Sequence, residues 1–178
     1  MLAIFIVESD SKSKSDYLYI SKYLHHFFNV GKQDVIRPVF LGGKGNYRKR
    51  SKESEIKGFV EKFKSYKRDD DRIVVFCCID IDDISRTGSA HENRAYAKTI
   101  HDYCCDKNWE FVWFHETIEE VFVGKRVSDK DKYRTARSFA VERLDSLKDC
   151  SFKHESYSGC VSGTSNLDIV LGKYFERY

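Results

Sequence analysis

Continuous apolar runs at residues 2–7, 35–41, 73–79 and 109–115 limit what this chain can fold into more than any other feature. Short runs of Val, Ile and Phe without polar alternation are what strands buried on both faces look like, the state of strands in a parallel sheet. Between the first two runs Tyr17, Ile20, Leu24 and Phe27 recur at steps of three and four, behind the cap candidates Ser11 and Ser13. Between the next two, Ile56, Phe59, Val60 and Phe63 repeat the helical spacing. A third helical stretch over about 92–105 presents Tyr96, Ile100, Tyr103 and Cys104 before the last run. This alternation predicts a compact α/β fold, a parallel four-stranded sheet of Rossmann-like type flanked by helices, with right-handed crossovers. After residue 115 the spacing predicts helices alone, over 117–123, 130–147 and 166–174. The Ser-, Gly- and Cys-rich stretch 148–165 reads as a loop with room for one short strand. At 178 residues the chain is one domain by length, roughly 150 residues being the usual domain size, with a core of about 1–116 and a helical extension of about 117–178.

Composition removes several classes. Hydrophobic residues at 41%, charged residues at 33% and a single proline belong to a globular chain and not to a disordered one. No apolar stretch reaches the 18 residues a membrane span needs, so no membrane partner is expected. The first run lacks a basic flank and stops at Glu8, which makes it a strand and not a signal peptide, and the cytoplasm the expected compartment. The six cysteines fall as Cys77 with Cys78, Cys104 with Cys105, and the isolated Cys150 and Cys160. No C-x-x-C spacing occurs and neighbours on a strand face opposite ways, so they read as reduced thiols. A net charge of +3 does not identify a nucleic-acid binder, but the charges are unevenly placed. Lys44, Arg48, Lys49, Arg50 and Lys52 crowd one stretch, while Asp69, Asp70 and Asp71 and then Asp80, Asp82 and Asp83 concentrate the acid elsewhere.

The acids at strand ends carry the chemistry. Glu8 closes the first run, and Asp80 and Asp82 close the third. Ligands of open α/β sheets collect outside the carboxyl ends of the strands, so these acids can converge on one cation. Mg2+ or Mn2+ is the expected cofactor, because hard divalent ions take one or two carboxylates and complete their shell with water and substrate phosphate. Glu116, Glu119 and Glu120 follow the fourth run at the same edge, and a second metal position is assigned to Glu116 and Glu120. His115 and Glu119, four apart, would share a helix face and give a zinc alternative with His154 as a distant third ligand. The segment Gly42-Gly43-Lys44-Gly45 is neither a Walker loop nor a dinucleotide fingerprint, yet glycines after a strand can bring backbone N–H groups to a phosphate. Lys44, Arg48, Lys49 and Arg50 would then grip a nucleic-acid backbone, and Lys12, beside Lys14 at the start of the first helix, would meet an anion there.

The order of these motifs, Ile-Phe-Ile-Val-Glu8, a helix, Val-Phe-Leu-Gly42-Gly43-Lys44-Gly45 and Ile79-Asp80-Ile-Asp82-Asp83, resembles the TOPRIM domain family over roughly residues 2–115. It looks closest to small stand-alone members, the RloB-like and old-family nuclease relatives, which often act in phage defence or on mobile DNA. The chain departs from the pattern at Ser9, where a glycine commonly follows the glutamate, and at Asp83-Ile84, where a glycine commonly follows the second aspartate. The resemblance implies that Asp80 and Asp82 bind magnesium and that Glu8 is a ligand or general base. It implies a metal-dependent phosphodiester hydrolase acting on DNA or RNA. Two alternatives are a non-catalytic binding module that partners an ATPase, and a metal-dependent nucleotidyltransferase. A homodimer is compatible with either.

Overall fold

The computed structural model describes residues 1–66, 72–81, 90–147, 149–157 and 161–178, with the backbone alone at residues 44, 90–92, 149 and 150. Four strands, β1 (Leu2–Val7), β3 (Val35–Phe40), β4 (Ile73–Ile81) and β5 (Glu110–His115), form an all-parallel sheet in the order β3-β1-β4-β5. A two-stranded antiparallel pair, β2 (Phe28–Asn29) with β6 (Glu176–Arg177), fastens the end of the chain to the end of the first helix. The expected strands are all present. Val7 pairs with Phe40 on one side and Cys78 on the other, so the carboxyl ends of β1 and β3 lie level with each other, while β4 runs on beside β5 to Ile81. Pro38 sits in β3, an edge strand, where a missing backbone donor costs least.

Because β1 is central, its side chains divide strictly between two layers. Ala3, Phe5 and Val7 join a core with α1 (Ser15–Phe27), while Leu2, Ile4 and Ile6 join one with α2 (Arg50–Lys64) and α3 (Ala90–Asp106). Cys77 and Cys78 split in the same way, and with Cys104 and Cys105 they are free thiols. Helices on opposite faces follow from right-handed crossovers, since β1 to β3 and β3 to β4 run across the sheet in opposite directions.

The chain after β5 covers the α1 face. α4 (Ile118–Val123), α5 (Asp129–Ser138) and α6 (Leu167–Leu171), with 3-10 turns at Val141–Ser146 and Asp149–Phe152, place Phe122, Phe139, Leu144 and Phe152 against Tyr19 and Tyr23. None of the described helices is long and apolar enough to cross a membrane.

Two local expectations fail for identifiable reasons. Neither Ser11 nor Ser13 caps α1. Asp10 Oδ1 accepts the Lys12 and Ser13 amides at 2.7 Å each, and Lys14 takes the cap position with φ 51° and no side-chain cap. The helix expected over 130–147 ends at Ser138, because Lys22 Nζ of α1 donates to the carbonyls of Ala136, Arg137 and Phe139 at 3.0, 3.1 and 2.7 Å. A cation on the last carbonyls terminates a helix favourably.

Candidate metal centre

The connection leaving β1 goes through α1 to β3, and the connection leaving β4 goes through α3 to β5 on the other side. Neighbouring strands whose connections diverge leave a crevice at their carboxyl ends, the usual ligand position of such sheets. Here it is a cavity of about 390 Å3, lined among others by Glu8, Asp16, Gly42, Gly43, Asp80 and Lys132.

Glu8 and Asp80 are held by backbone geometry. The Asp80 amide donates to Glu8 Oε1 at 2.7 Å, joining the two strand ends. Asp80 Oδ1 accepts the Ile118 amide at 2.9 Å, so this aspartate also ties down the start of α4. Asp16 accepts the Ser9 amide at 2.8 Å and the Ser15 hydroxyl at 2.9 Å, fixing the turn after Glu8. The glycine turn closes the same wall. Gly43 donates its amide to the Glu8 carbonyl at 2.8 Å and Gly42 to the Ser9 carbonyl at 3.3 Å. With φ of 65° and 122° these two positions use the left-handed backbone that glycine adopts freely. Their amides are therefore occupied in holding Glu8, and the expectation that they cradle a phosphate is corrected.

Burial pushes the Asp80 carboxyl well above its ordinary range, and the negative charges of Glu8, Asp16 and Glu119 push the same way, with Lys132 alone opposing. Glu119 is fully buried on α4, and neither carboxylate oxygen has a hydrogen-bond partner. Its nearest counter-charge is Lys132 Nζ of α5, 3.8 Å from Oε2. Burial raises the Glu119 pKa too, partly offset by Lys132. Among the described residues the donor set is thus hard oxygen, crowded and short of positive charge, which fits a divalent cation. Among the described residues no three His, Cys, Asp or Glu side chains are grouped closely enough to share one ion. Asp82, the expected third ligand, lies outside the described residues.

The other expected site residues are placed elsewhere. Glu116 acts on Glu120 and not on Asp80: burial, then Glu116, raises the Glu120 carboxyl. Thr117, the N-cap of α4, donates its hydroxyl to Glu120 Oε2 at 3.1 Å and accepts the Glu120 amide at 3.3 Å. Glu120 lines a separate cavity of about 370 Å3 between α4 and Ser151 and Phe152. Of the acids after β5, Glu119 is the one that acts on Asp80. His115 closes β5 and precedes α4, so it shares no helix face with Glu119, and the zinc arrangement does not form. His154 is tied by its amide to the Ser165 carbonyl.

Lys44 opens a 3-10 turn, Lys44–Arg48, that leads into α2. Arg48 lies over the rings of Tyr47 and Tyr103, 5.2 and 5.4 Å away on the α3 side, and Lys49 and Arg50 are exposed beyond it. Lys12 is exposed in the turn before α1. Neither Lys12 nor Arg48, Lys49 or Arg50 lines the cavity, whose cation is Lys132. Sequence reasoning passed over Asp16 and Lys132, which no motif marks. Comparison of the chain with protein-family models, with curated proteins and with solved structures finds no match.

Proposed function

We propose that the chain is a Mg2+- or Mn2+-dependent phosphodiester hydrolase of TOPRIM-like type acting on nucleic acid in the cytoplasm, with Glu8 and Asp80 as its metal-holding carboxylates. One observation carries this reading: Glu8 and Asp80 meet in the crevice between diverging parallel strands, backed by Asp16 and by Glu119, whose carboxylate accepts no hydrogen bond. Asp82, two residues beyond Asp80 in the sequence, is the third carboxylate of the same motif. A divalent ion supplies Lewis-acid polarisation of a phosphoryl oxygen when bound.

The chain's own residues do the rest. Asp80 holds one oxygen on the Ile118 amide, which orients its carboxylate toward a fixed place. Glu8, anchored by the Asp80 amide and by Gly43, is positioned to take a proton from an attacking water. Lys132 stands in the same cavity as a positive charge for the non-bridging phosphate oxygens, where charge accumulates during displacement. Arg48, Lys49 and Arg50 lie to one side, where they can contact the nucleic-acid backbone away from the scissile bond.

The test is cleavage of labelled single- and double-stranded DNA and RNA with Mg2+ or Mn2+, wild type against Asp80→Asn, with EDTA as control. Cleavage that needs the metal and is lost in the variant supports the hydrolase. Absence of cleavage of all four substrates with either ion contradicts it.

A further inference from the structure

A cavity of about 620 Å3 lies away from Glu8 and Asp80, along the outer side of β5. One wall is a stripe of α3, Arg94, Lys98, His101 and Cys105, at the four- and three-residue steps that share a helix face. Trp109 and Tyr157 add aromatic surface, and the rings of His101, Phe111 and Tyr157 stand 5.7 to 6.1 Å apart, centroid to centroid.

Two observations restrict what could lie there. First, the edge of β5 is closed to a peptide strand. The Asn166 side chain donates to the Phe111 carbonyl at 2.9 Å and accepts the Trp113 amide at 3.0 Å, while Ser165 Oγ donates to the Trp113 carbonyl at 2.6 Å. With those backbone groups taken, pairing by strand addition has nothing to bind, and an occupant must be held by side chains. Second, the side chains combine cations with aromatic faces. Arg94 has no carboxylate partner among the described residues. Lys98 is paired with Asp102 at 2.6 Å, but that pair is exposed and of little worth, so a phosphate can compete for the ammonium. Glu110 and Glu155 line the groove as well, Glu110 paired with Lys173 at 2.8 Å, so the phosphate contacts fall to Arg94 and Lys98; cations beside aromatic faces are how single strands are bound without reading their sequence.

The groove also points the right way. α3 runs antiparallel to the strands, so Arg94, near its start, lies toward the sheet edge where Asp80 stands. Trp109, just before β5, lies toward the other. We infer that the groove holds a single-stranded segment of nucleic acid leading away from the metal centre, with phosphates on Arg94 and Lys98 and a base against Tyr157 and His101. This rests on the nucleic-acid reading above and adds the form of the substrate that reading leaves open.

The test uses the full chain in EDTA, where cleavage plays no part, and fluorescence anisotropy of labelled oligothymidylate and oligouridylate against salt concentration. The double variant Arg94→Glu, Lys98→Glu is expected to weaken binding by about tenfold or more and to flatten the log–log salt slope by about 0.7 per lost phosphate contact. Tyr157→Ala is expected to weaken binding about tenfold with the slope unchanged, as for a lost stacking partner. Lys57→Glu, a charge reversal of the same kind on the exposed face of α2, leaves affinity as it was. Melting curves confirm that each variant folds. Failure of the wild type to bind either strand overturns the inference. So does a double variant within twofold of wild type, or an equal loss in Lys57→Glu. A chain that binds through the groove yet never cleaves refutes the hydrolase and leaves the groove standing; one that cleaves but ignores Arg94 and Lys98 does the reverse.

Discussion

Two acidic clusters stand at the same edge of the sheet, and the fold treats them differently. Burial and then Glu116 raise the Glu120 carboxyl, but Glu120 is held by the Thr117 hydroxyl through both its amide and its carboxylate, so the second cluster is tied into its own helix start. Glu8, Asp16, Asp80 and Glu119 instead press their charges on one another, with Lys132 the cation set against them among the described residues. Closeness of acids does not make a cation site. What distinguishes the first cluster, among the described residues, is a shortage of positive charge, and that shortage is the part a metal would complete.

The contrast is open to direct attack. The largest effect is expected from Lys132→Met, which strands Glu119 in the interior without a counter-charge. Removing one partner of a buried pair costs about 3–5 kcal/mol, and the 28% exposure of the lysine side chain reduces this to about 2–3 kcal/mol of unfolding free energy in urea. Lys132→Arg is expected to restore most of it.

A second test uses pH. Because the folded-state pKa values of Asp80 and Glu119 lie above their ordinary 3.8 and 4.5, the folded chain binds more protons than the unfolded one between those values and the raised ones. Metal-free protein is therefore expected to gain stability as pH falls through that window, opposite to the usual acid destabilisation, and Mg2+ to raise the melting temperature most at neutral pH. Asp80→Asn removes the Mg2+ response. Glu120→Gln flattens part of the pH dependence, since Glu120 is raised as well, and leaves the Mg2+ response intact.

Smaller effects come from the supports. Gly43→Ala, forced to φ 122°, is expected to cost about 1–3 kcal/mol and to loosen the turn that holds Glu8. Thr117→Ala is expected to cost about 1 kcal/mol through the lost cap, with cation affinity unchanged, because it touches only the second cluster.

The sheet was legible in the sequence because strands buried on both faces leave long apolar runs, and β1 and β4 put their acids at the ends of such runs. Strand order was not, and order is what makes β1 and β4 neighbours whose connections diverge. Glu119 could be told from Glu120 only by cap geometry: Thr117 claims the residue three along, which turns Glu119 inward. Lys132 reaches the cavity from a helix whose length is set by Lys22, more than a hundred residues earlier, and no local pattern records that contact. The glycines after β3 marked a real wall of the site, but their amides serve Glu8 and not a ligand.

The central claim is that the first cluster, and not the second, holds a divalent ion. Isothermal titration of metal-free protein with Mn2+ tests it most directly, comparing wild type, Asp80→Asn and the pair Glu116→Gln, Glu120→Gln. The account predicts saturable binding to wild type, at least a tenfold loss in Asp80→Asn, and wild-type affinity in the paired variant. No binding to wild type, or binding that survives Asp80→Asn and is lost with Glu116 and Glu120, would contradict it.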